Sequence, residues 1–590
     1  MKHFLRLKWD FLVIVILLGG ALAFSFRDAK WVIRADNPHV QGSRPPDRFV
    51  GDILLLTPES PPDRATTFSE LDTSYAWYNA LWQRYGSFAS ARVSELSPEL
   101  LAGRLALIVP NSVAKNMSIE GMRAIENATK AGIFTIVEMP TENWSNFLHL
   151  RANSREKRQA TYAQLKGGIE IPLTGERILL EPLDPDYQTH FKVDGEYGYL
   201  SRAVGKGRVF SLAFHAGANW IALQQGLPSK GMRFSKKTIH NGQRGSLPSP
   251  RPLADLLENA IFEAVESYRP TPRFSPFPHS YKGAISIVHP RFARDTSTRV
   301  NTKPGTLMWA NFDDSDHLRE GEERYCIWST QRPNMFNTRY FNTPYLPLFQ
   351  ELDLGLQLEH CKVTMAQDMS WKQSWLGDLK KVAVSDAVLD LSFGPAPESE
   401  PGFVFGTGFP FYPITREGLA LPLLLQPLIF TNARQLRELP TFIKNENIEG
   451  QILGVSFPTD EMKKRPDAQS LIVLKEISDI AKKENYWLSP PLEIAYFLSS
   501  RRRSVLSSQW SPFDQRLVIS LKIAPSAYPL SLRIPASYQG EPLESILLDN
   551  KAQKIKSKHK PRHYFLELSE GRHKIEVRYR KPEENLDPPP

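Results

Sequence analysis

The feature that most constrains this chain is a set of short apolar stretches that end in turn residues and alternate with a helix signal. "GDILLLTP" from Gly51, "RLALIVP" from Arg104 and "IFTIVEMP" from Ile133 are such runs, and "SIEGMRAIENATKAG" lies between the last two. Continuous short apolar runs are the pattern of strands buried on both faces. In the intervening segment Ser118 can cap a helix start and Gly132 can stop it. Strand, helix and strand in that order predict a parallel sheet with right-handed crossovers. "GKGRVFSLAFHAGAN" from Gly205 predicts a late strand of the same unit, which closes near residue 225.

With 590 residues the chain exceeds what one core serves, and three or four units are expected. The 47 prolines argue for many loops and short elements. Asp28 to Arg48 is a polar connector, and Ser229 to Arg251 is a basic one. "LADLLENAIFEAVESY" then predicts an amphipathic helix leading to the hinge "RPTPRFSPFP". From Leu506, "RLVISLKI", "LSLRIPA", "SILLD", "HYFLELS" and "HKIEVRYR" predict strands at sandwich spacing. The expected divisions are 1–27, 48–228, 229–277, 278–505 and 506–580.

At the start, "MKHFLRLKW" precedes the apolar run "FLVIVILLGGALAF", the pattern of an export leader with a small-residue site at Ala21-Leu22-Ala23. The same run could remain as a short membrane anchor. Either way the expected location is the cell envelope, periplasmic or extracellular, which counts against nucleic acid and ATP as partners. The formal charge of +9 and pI near 9.2 suit an anionic glycan, a membrane surface or nucleic acid alike, so they select none. Arg501-Arg502-Arg503 reads as the solvated end of a predicted helix. Two cysteines, Cys326 and Cys361, exclude a disulfide framework and a Cys-rich zinc module, and leave their own pairing open.

The first unit's pattern resembles the class I glutamine-amidotransferase-like fold found ahead of some carbohydrate-active domains. Enzymes of that fold need a cysteine nucleophile, and no cysteine precedes Cys326. His215 could be proposed as a base, but a hydrogen-bonded loop histidine is the preferred reading.

From Tyr281 to about Ser500, three stretches resemble the polysaccharide deacetylases, carbohydrate esterases built as a distorted (β/α) barrel. They are "YKGAISIVHP", "FQELDLGLQLEHCKV" and "LSFGPAPESEPGFVFGTGFPFYPITREGLALPLLLQPLIF". The resemblance implies a divalent metal held by an aspartate and two histidines, with an aspartate base and a histidine acid. The chain departs at each position. His289 is followed by Pro290 where an aspartate is expected, and Gln357 and Cys361 stand at the paired-histidine positions, with His360 displaced by one. "SFGPAP" lacks the expected arginine, Gln426 replaces an aspartate, and Phe457 replaces the histidine acid.

"GTLMWANFDDSDHL" offers a rearranged set, with Asp313 as base and Asp314, His360 and Cys361 as ligands for zinc or another divalent metal. The preferred alternative is a second barrel strand followed by a polar loop; His289 is the other catalytic candidate. Phe403, Phe405, Phe409, Phe411 and Tyr412 crowd one Gly-rich loop, with Trp371, Trp375 and Trp487 in neighbouring segments. Sugar stacking and a buried loop core both explain them. The tail resembles the small β-sandwich appended to glycan-processing enzymes.

The expected fold class is therefore α/β: an amidotransferase-like parallel sheet, a deacetylase-like barrel and a C-terminal β-sandwich. The expected function is a polysaccharide-binding exported protein with an inactive barrel and no cofactor. An active metal-dependent N-deacetylase and a structural partner in an envelope complex are the alternatives. Oligomeric state is left open.

Overall fold

The computed structural model describes residues 51–59, 73–225, 249–290, 387–395, 399–415, 420–444, 448–456, 466–555 and 562–581, with short pieces between 232 and 418. It is a mixed α/β structure with one large mixed sheet and several smaller ones. Among the described residues no helix is long and apolar enough to cross a membrane. The apolar N-terminal segment lies outside them.

The large sheet is built from β1 (Ile53–Thr57), β2 (Ala89–Arg92), β3 (Ala106–Val109), β4 (Phe134–Glu138), β5 (Tyr162–Gln164), β6 (Glu170–Pro172), β7 (Gln188–Val193), β8 (Glu196–Val204) and β9 (Gly207–Leu212). Its order is β2-β1-β3-β4-β9-β8-β7-β5-β6. The first five in that order pair parallel, as the apolar runs predict, and the rest pair antiparallel. Three helices accompany it: α1 (Ser74–Tyr85), α2 (Ile119–Ala131) and α3 (Ala216–Gln225). The predicted cap of α2 is present, with Ser118 Oγ accepting from the Gly121 amide at 3.1 Å.

Helix α4 (Leu253–Glu266) leads to the middle region. There β10 (Gly283–Pro290), β11 (Ala310–Phe312), β12 (Arg324–Trp328), β13 (Cys361–Ala366), β14 (Leu389–Asp390), β15 (Leu424–Leu425), β16 (Leu428–Phe430), β17 (Ile452–Ser456) and β18 (Tyr486–Leu488) form two sheets. Their orders are β11-β10-β17-β16, with β18 also on β10, and β12-β13-β14-β15. Every pairing is parallel. This arrangement is consistent with the expected barrel. Helices α5 (Leu439–Lys444), α6 (Pro466–Lys483) and α7 (Pro491–Arg503) follow in the chain.

The tail forms two antiparallel sheets from β19 (Val505–Ser511), β20 (Arg516–Ile523), β21 (Leu530–Pro535), β22 (Ser537–Tyr538), β23 (Glu541–Leu548), β24 (His563–Leu568) and β25 (Gly571–Tyr579). Arg273–Phe274, from the predicted hinge, adds a short strand to β21 and so stitches the hinge onto the tail.

The unexpected element is α1. Its sequence SYAWYNALWQRY is buried on nearly every side, as befits a helix enclosed by several neighbours. Asn79 Nδ2 donates to the Tyr412 carbonyl at 2.8 Å, and the Tyr412 amide donates back to Asn79 Oδ1 at 3.1 Å. Arg84 donates twice to the Glu266 carboxylate, at 2.8 Å each, and Tyr85 Oη donates to it at 2.8 Å. Burial works to raise the Glu266 pKa, but Arg84 and Arg273 overcome it and hold the group at about 2.

The helix ends at Gly86, whose φ of 75° favours glycine. A Cβ there would also stand 2.9 Å from the Arg501 side chain. Arg501 and Arg502 are buried, which overturns the expectation of a solvated helix end. The Arg501 guanidinium donates to the carbonyls of Trp82, Gln83, Arg84 and Phe274 at 2.7–3.0 Å. Three of these are carbonyls at the end of α1, where a cation also meets the negative end of the helix dipole. Burial, then Arg533 and Arg273, push the Arg501 pKa down to about 9, so it stays charged at neutral pH. Arg502 lies over the Phe88 ring at 4.0 Å.

Arg501→Met should destabilise the protein by about 3–5 kcal/mol, because buried carbonyls lose their donor. Arg501→Lys should recover only part of this, since an ammonium lacks the planar fork. Urea denaturation checks both; an unchanged midpoint in Arg501→Met would show the cap to be dispensable.

Candidate functional site

In the middle region, side-chain alternation separates two faces. Ile285, Ile287, Leu453 and Val455 pack with Leu439, Ile443, Ile477 and Ala481 of the covering helices. Ala284, Val288, Ile452, Leu424 and Leu428 belong instead to the cluster that includes Val363, Leu389 and Trp487. This second face is the inner one. Ser286 lies between Ala284 and Val288 in the alternation, Ser456 follows Ile452 by four residues, and Gln426 lies midway between Leu424 and Leu428. Ser286 and Ser456 therefore belong to this second face, and Gln426 stands in the link between β15 and β16.

Register fixes how the two serines stand to one another. Ser286 pairs with Gly454 and Val288 with Ser456, while Leu428 pairs with Gly454 from the other side. Gly454 is required here, because a Cβ would meet the Pro427 carbonyl at 2.5 Å. The Gln426 amide donates to the Asp390 carbonyl at 3.0 Å, which fixes its backbone. Ser286, Ser456 and Gln426 are at most 1% exposed. Yet both hydroxyls and both Gln426 side-chain atoms lack a hydrogen-bond partner among the described residues. Polar atoms buried in this way cost roughly 1–3 kcal/mol each and call for an explanation.

The residues singled out from the sequence are placed as follows. His289 and Pro290 end β10, paired with Asn311 and Phe312 of β11, so the segment before Asp313 is the second strand of this sheet. Asp313, Asp314, His360 and Trp371 lie outside the described residues, as do Gln357, Trp375 and Phe457. Cys361 opens β13, opposite Arg324, while Cys326 pairs with Thr364. Among the described residues no group of three or more His, Cys, Asp or Glu is arranged to hold a metal ion.

Phe405, Phe409, Phe411 and Tyr412 are buried. Trp82 of α1 contacts Phe409 and Tyr412 at ring distances of 5.9 and 5.5 Å, and Phe405 lies 6.1 Å from Phe411. Their loop is fastened at both ends. The Gly406 carbonyl accepts from the Ala254 amide at 2.8 Å at the start of α4, and Gln225 exchanges two hydrogen bonds with the Ile414 backbone. A polar link runs beneath it: Thr407 Oγ1 and Gln451 Nε2 donate to Asp255, and Gln451 Oε1 accepts from the Gly408 amide. These rings join α1 to the middle region, and in this state they offer no open face to a sugar.

A second polar cluster, missed from the sequence, lies at the carboxyl ends of the parallel strands in the large sheet. Glu138, at the end of β4, is fully buried. It accepts from the Asn111 amide at 2.8 Å, the Gly217 amide at 2.9 Å, Trp77 Nε1 at 3.1 Å and Thr73 Oγ1 at 3.3 Å. Burial pushes its pKa up, and these donors oppose the shift. His215 Nδ1 stands 4.0 Å from Glu138 Oε1 and has no hydrogen-bond partner among the described residues, so the hydrogen-bonded loop histidine is corrected on this atom. Burial, then Lys115 and Lys157, depress the His215 pKa to about 3, which leaves it neutral and forms no ion pair. Glu138 thus pins the loops after β3 and β9 to the start of α1. The signal available in "IVEMP" was a carboxylate at the end of an otherwise apolar strand.

No family model matches the chain, and no curated protein matches it. Among solved structures, the exo-beta-1,4-mannosidase Op5Man5 from Opitutaceae bacterium strain TAV5 is 17% identical, with a TM-score of 0.23, over 29% of this chain and 32% of that one. A beta-galactosidase from Bacillus circulans sp. alkalophilus is 10% identical, with a TM-score of 0.22, over 29% and 30%. A cytoplasmic protein from Salmonella typhimurium is 9% identical, with a TM-score of 0.20, over 28% and 88%. The match spans about a third of the length of the two sugar-cleaving enzymes. Structural similarity to carbohydrate-active enzymes is thus only weak, and at that strength it carries no functional argument.

Burial raises the Asp255 pKa to about 7, against the hydrogen bonds from Gln451 and Thr407. Below about pH 4 the group is protonated whether folded or unfolded. As pH rises toward 7 the unfolded chain ionises first, so stability falls across that window. Asp255→Asn should flatten the fall, measured by urea denaturation from pH 4 to 8; an equally steep profile would remove Asp255 as its source. Glu138→Ala should cost about 3 kcal/mol or more by leaving buried donors unpaired, read by the same measurement at pH 7.

Proposed function

We propose that the protein is an exported, polysaccharide-associated protein that binds a glycan on the inner face of its middle sheet and does not hydrolyse it. The observation that carries this reading is the trio Ser286, Ser456 and Gln426 of the middle region, buried without side-chain partners among the described residues. A primary amide offers donors and acceptors together, and a hydroxyl offers both in one atom, a set that matches the hydroxyls of a sugar. Ligand sites of this kind combine a mostly apolar wall with a few converging polar groups, and Val288, Leu428 and Trp487 supply the wall. Replacement of the aspartate by Gln426 and of the next aspartate position by Pro290 supports binding without catalysis. In this reading the middle region is a deacetylase-like barrel that kept a sugar groove, and the first unit is amidotransferase-like without a nucleophile. The N-terminal apolar segment directs the chain to the envelope, as a cleaved leader or an inner-membrane anchor.

The test is binding of the full-length protein to a panel of neutral and N-acetylated oligosaccharides by calorimetry, with Gln426→Leu as the comparison. The substitution should raise stability by about 1–2 kcal/mol, since it removes two unpaired buried polar atoms, and should weaken glycan binding at least tenfold. Unchanged binding would sink this reading. Retention of one zinc per chain that is lost in Asp314→Asn or His360→Gln, with acetate release from an N-acetylated glycan, would replace it with the N-deacetylase.

A further inference from the structure

A second ligand surface stands on the tail, independent of the middle sheet. Between Val505 and Lys581 there are 14 Lys and Arg against 7 Asp and Glu, so most of the chain's formal charge of +9 resides in this one unit. Part of that excess gathers on a single sheet face. Arg572, Lys574 and Arg578 alternate along β25 with the buried Ile575 and Val577, and they share an outward face with Lys522, Ser520 and Arg516 of β20.

Register places Lys522 directly opposite Arg572, and Lys574 opposite Ser520, one step along. Neighbouring strands are about 4.8 Å apart and successive outward residues about 7 Å apart, so the three cations form a close triangle. Like charges directly opposite in a sheet are destabilising. At the other end of the face Arg578 donates to Glu576 at 3.0 Å, and Arg516 lies 4.0 Å from the same carboxylate. The triangle has no such relief. Lys522, Arg572 and Lys574 are exposed and form no ion pair among the described residues. Asp549, at the same end, is already engaged by His573 Nδ1 at 2.9 Å and by the Lys574 amide at 2.8 Å. Glu570, in the turn entering β25, is exposed and leaves the balance positive.

We propose that this face of the β-sandwich is a docking surface for an anionic polysaccharide, one that carries carboxylates on successive sugars. Cations spaced along a flat strand pair match a repeating linear anion, and charge complementarity of this kind steers and fixes a polyanion. The groups between the cations are Ser520 and, opposite it on β19, Ser507, which can hydrogen-bond to sugar hydroxyls. An anionic membrane would call for well-exposed apolar side chains beside the cations, whereas Val518 and Leu547, the apolar residues flanking Glu576 on this face, are half-buried. The one strongly exposed aromatic ring nearby, Phe513, is 84% exposed but sits in the turn at the opposite end of β20, beneath Lys581.

The experiment is co-sedimentation of the full-length protein with alginate, a polyuronate, alongside neutral dextran and vesicles of phosphatidylcholine with phosphatidylglycerol. The native chain should bind alginate, release it as salt is raised, and ignore dextran. Lys522→Gln, Arg572→Gln and Lys574→Gln together should weaken alginate binding at least tenfold with a melting temperature that does not fall, because all three side chains are exposed and their mutual repulsion is removed. Arg516→Gln, already balanced by Glu576, should change binding less than threefold. Failure to bind alginate, equal binding by the triple variant, or binding to the anionic vesicles alone would each overturn the proposal, the last in favour of a membrane surface.

Discussion

One guanidinium ties the last helix of the middle region to the end of α1 and to the hinge. Arg501 closes the carboxyl end of α1, and its fourth hydrogen bond reaches the hinge strand at Phe274. A helix that is buried all round has no water to satisfy its terminal carbonyls, so an internal donor is obligatory. The neighbouring contacts of α1 follow from its position: Asn79 holds the aromatic loop, Arg84 holds α4, and Trp82 lies against the loop's rings. A single twelve-residue helix therefore takes part in packing the large sheet, the middle region and the hinge against one another, alongside direct links such as that from the Ser508 amide to Asp52.

The two polar clusters illustrate opposite solutions to the same problem. Glu138 is deeply buried and fully served, by backbone amides from two loops and by two side chains. A carboxylate so placed orders its surroundings and has little capacity left for a ligand. Gln426, equally buried, is left without side-chain partners among the described residues. The first arrangement is structural, and the second marks a place where stability has been given up.

The sequence was most legible where local chemistry and tertiary structure agree. The apolar runs, the Ser118 cap and the Gly132 stop identified strands and a helix of the large sheet, and the alternation after Leu506 identified the tail. It was least legible where the deciding partner is remote. SYAWYNALWQRY carries no one-sided apolar stripe, because every side of it is covered, so it gave no amphipathic signal. Three consecutive arginines read as a solvated end because nothing local reveals that carbonyls more than 400 residues away will receive two of them. The aromatic loop was recognised for its composition, but only the tertiary contacts place its rings against α1. For the candidate site, Gln426 was noted as a replacement for a carboxylate, whereas Ser286 and Ser456 gain meaning only from the register that brings them together.

The closure of α1 by Arg501 also has a consequence in time. The capping residue is separated from the Trp82 carbonyl by 419 positions in the chain. Synthesis proceeds at about 5–20 residues per second, so a nascent α1 waits roughly 20–80 seconds for the group that completes it. During that interval the large sheet can assemble, while the helix that will lie at the centre of the molecule has an unfinished end. The native arrangement is therefore sealed late, and the final helix of the middle region acts as the clasp of the first unit.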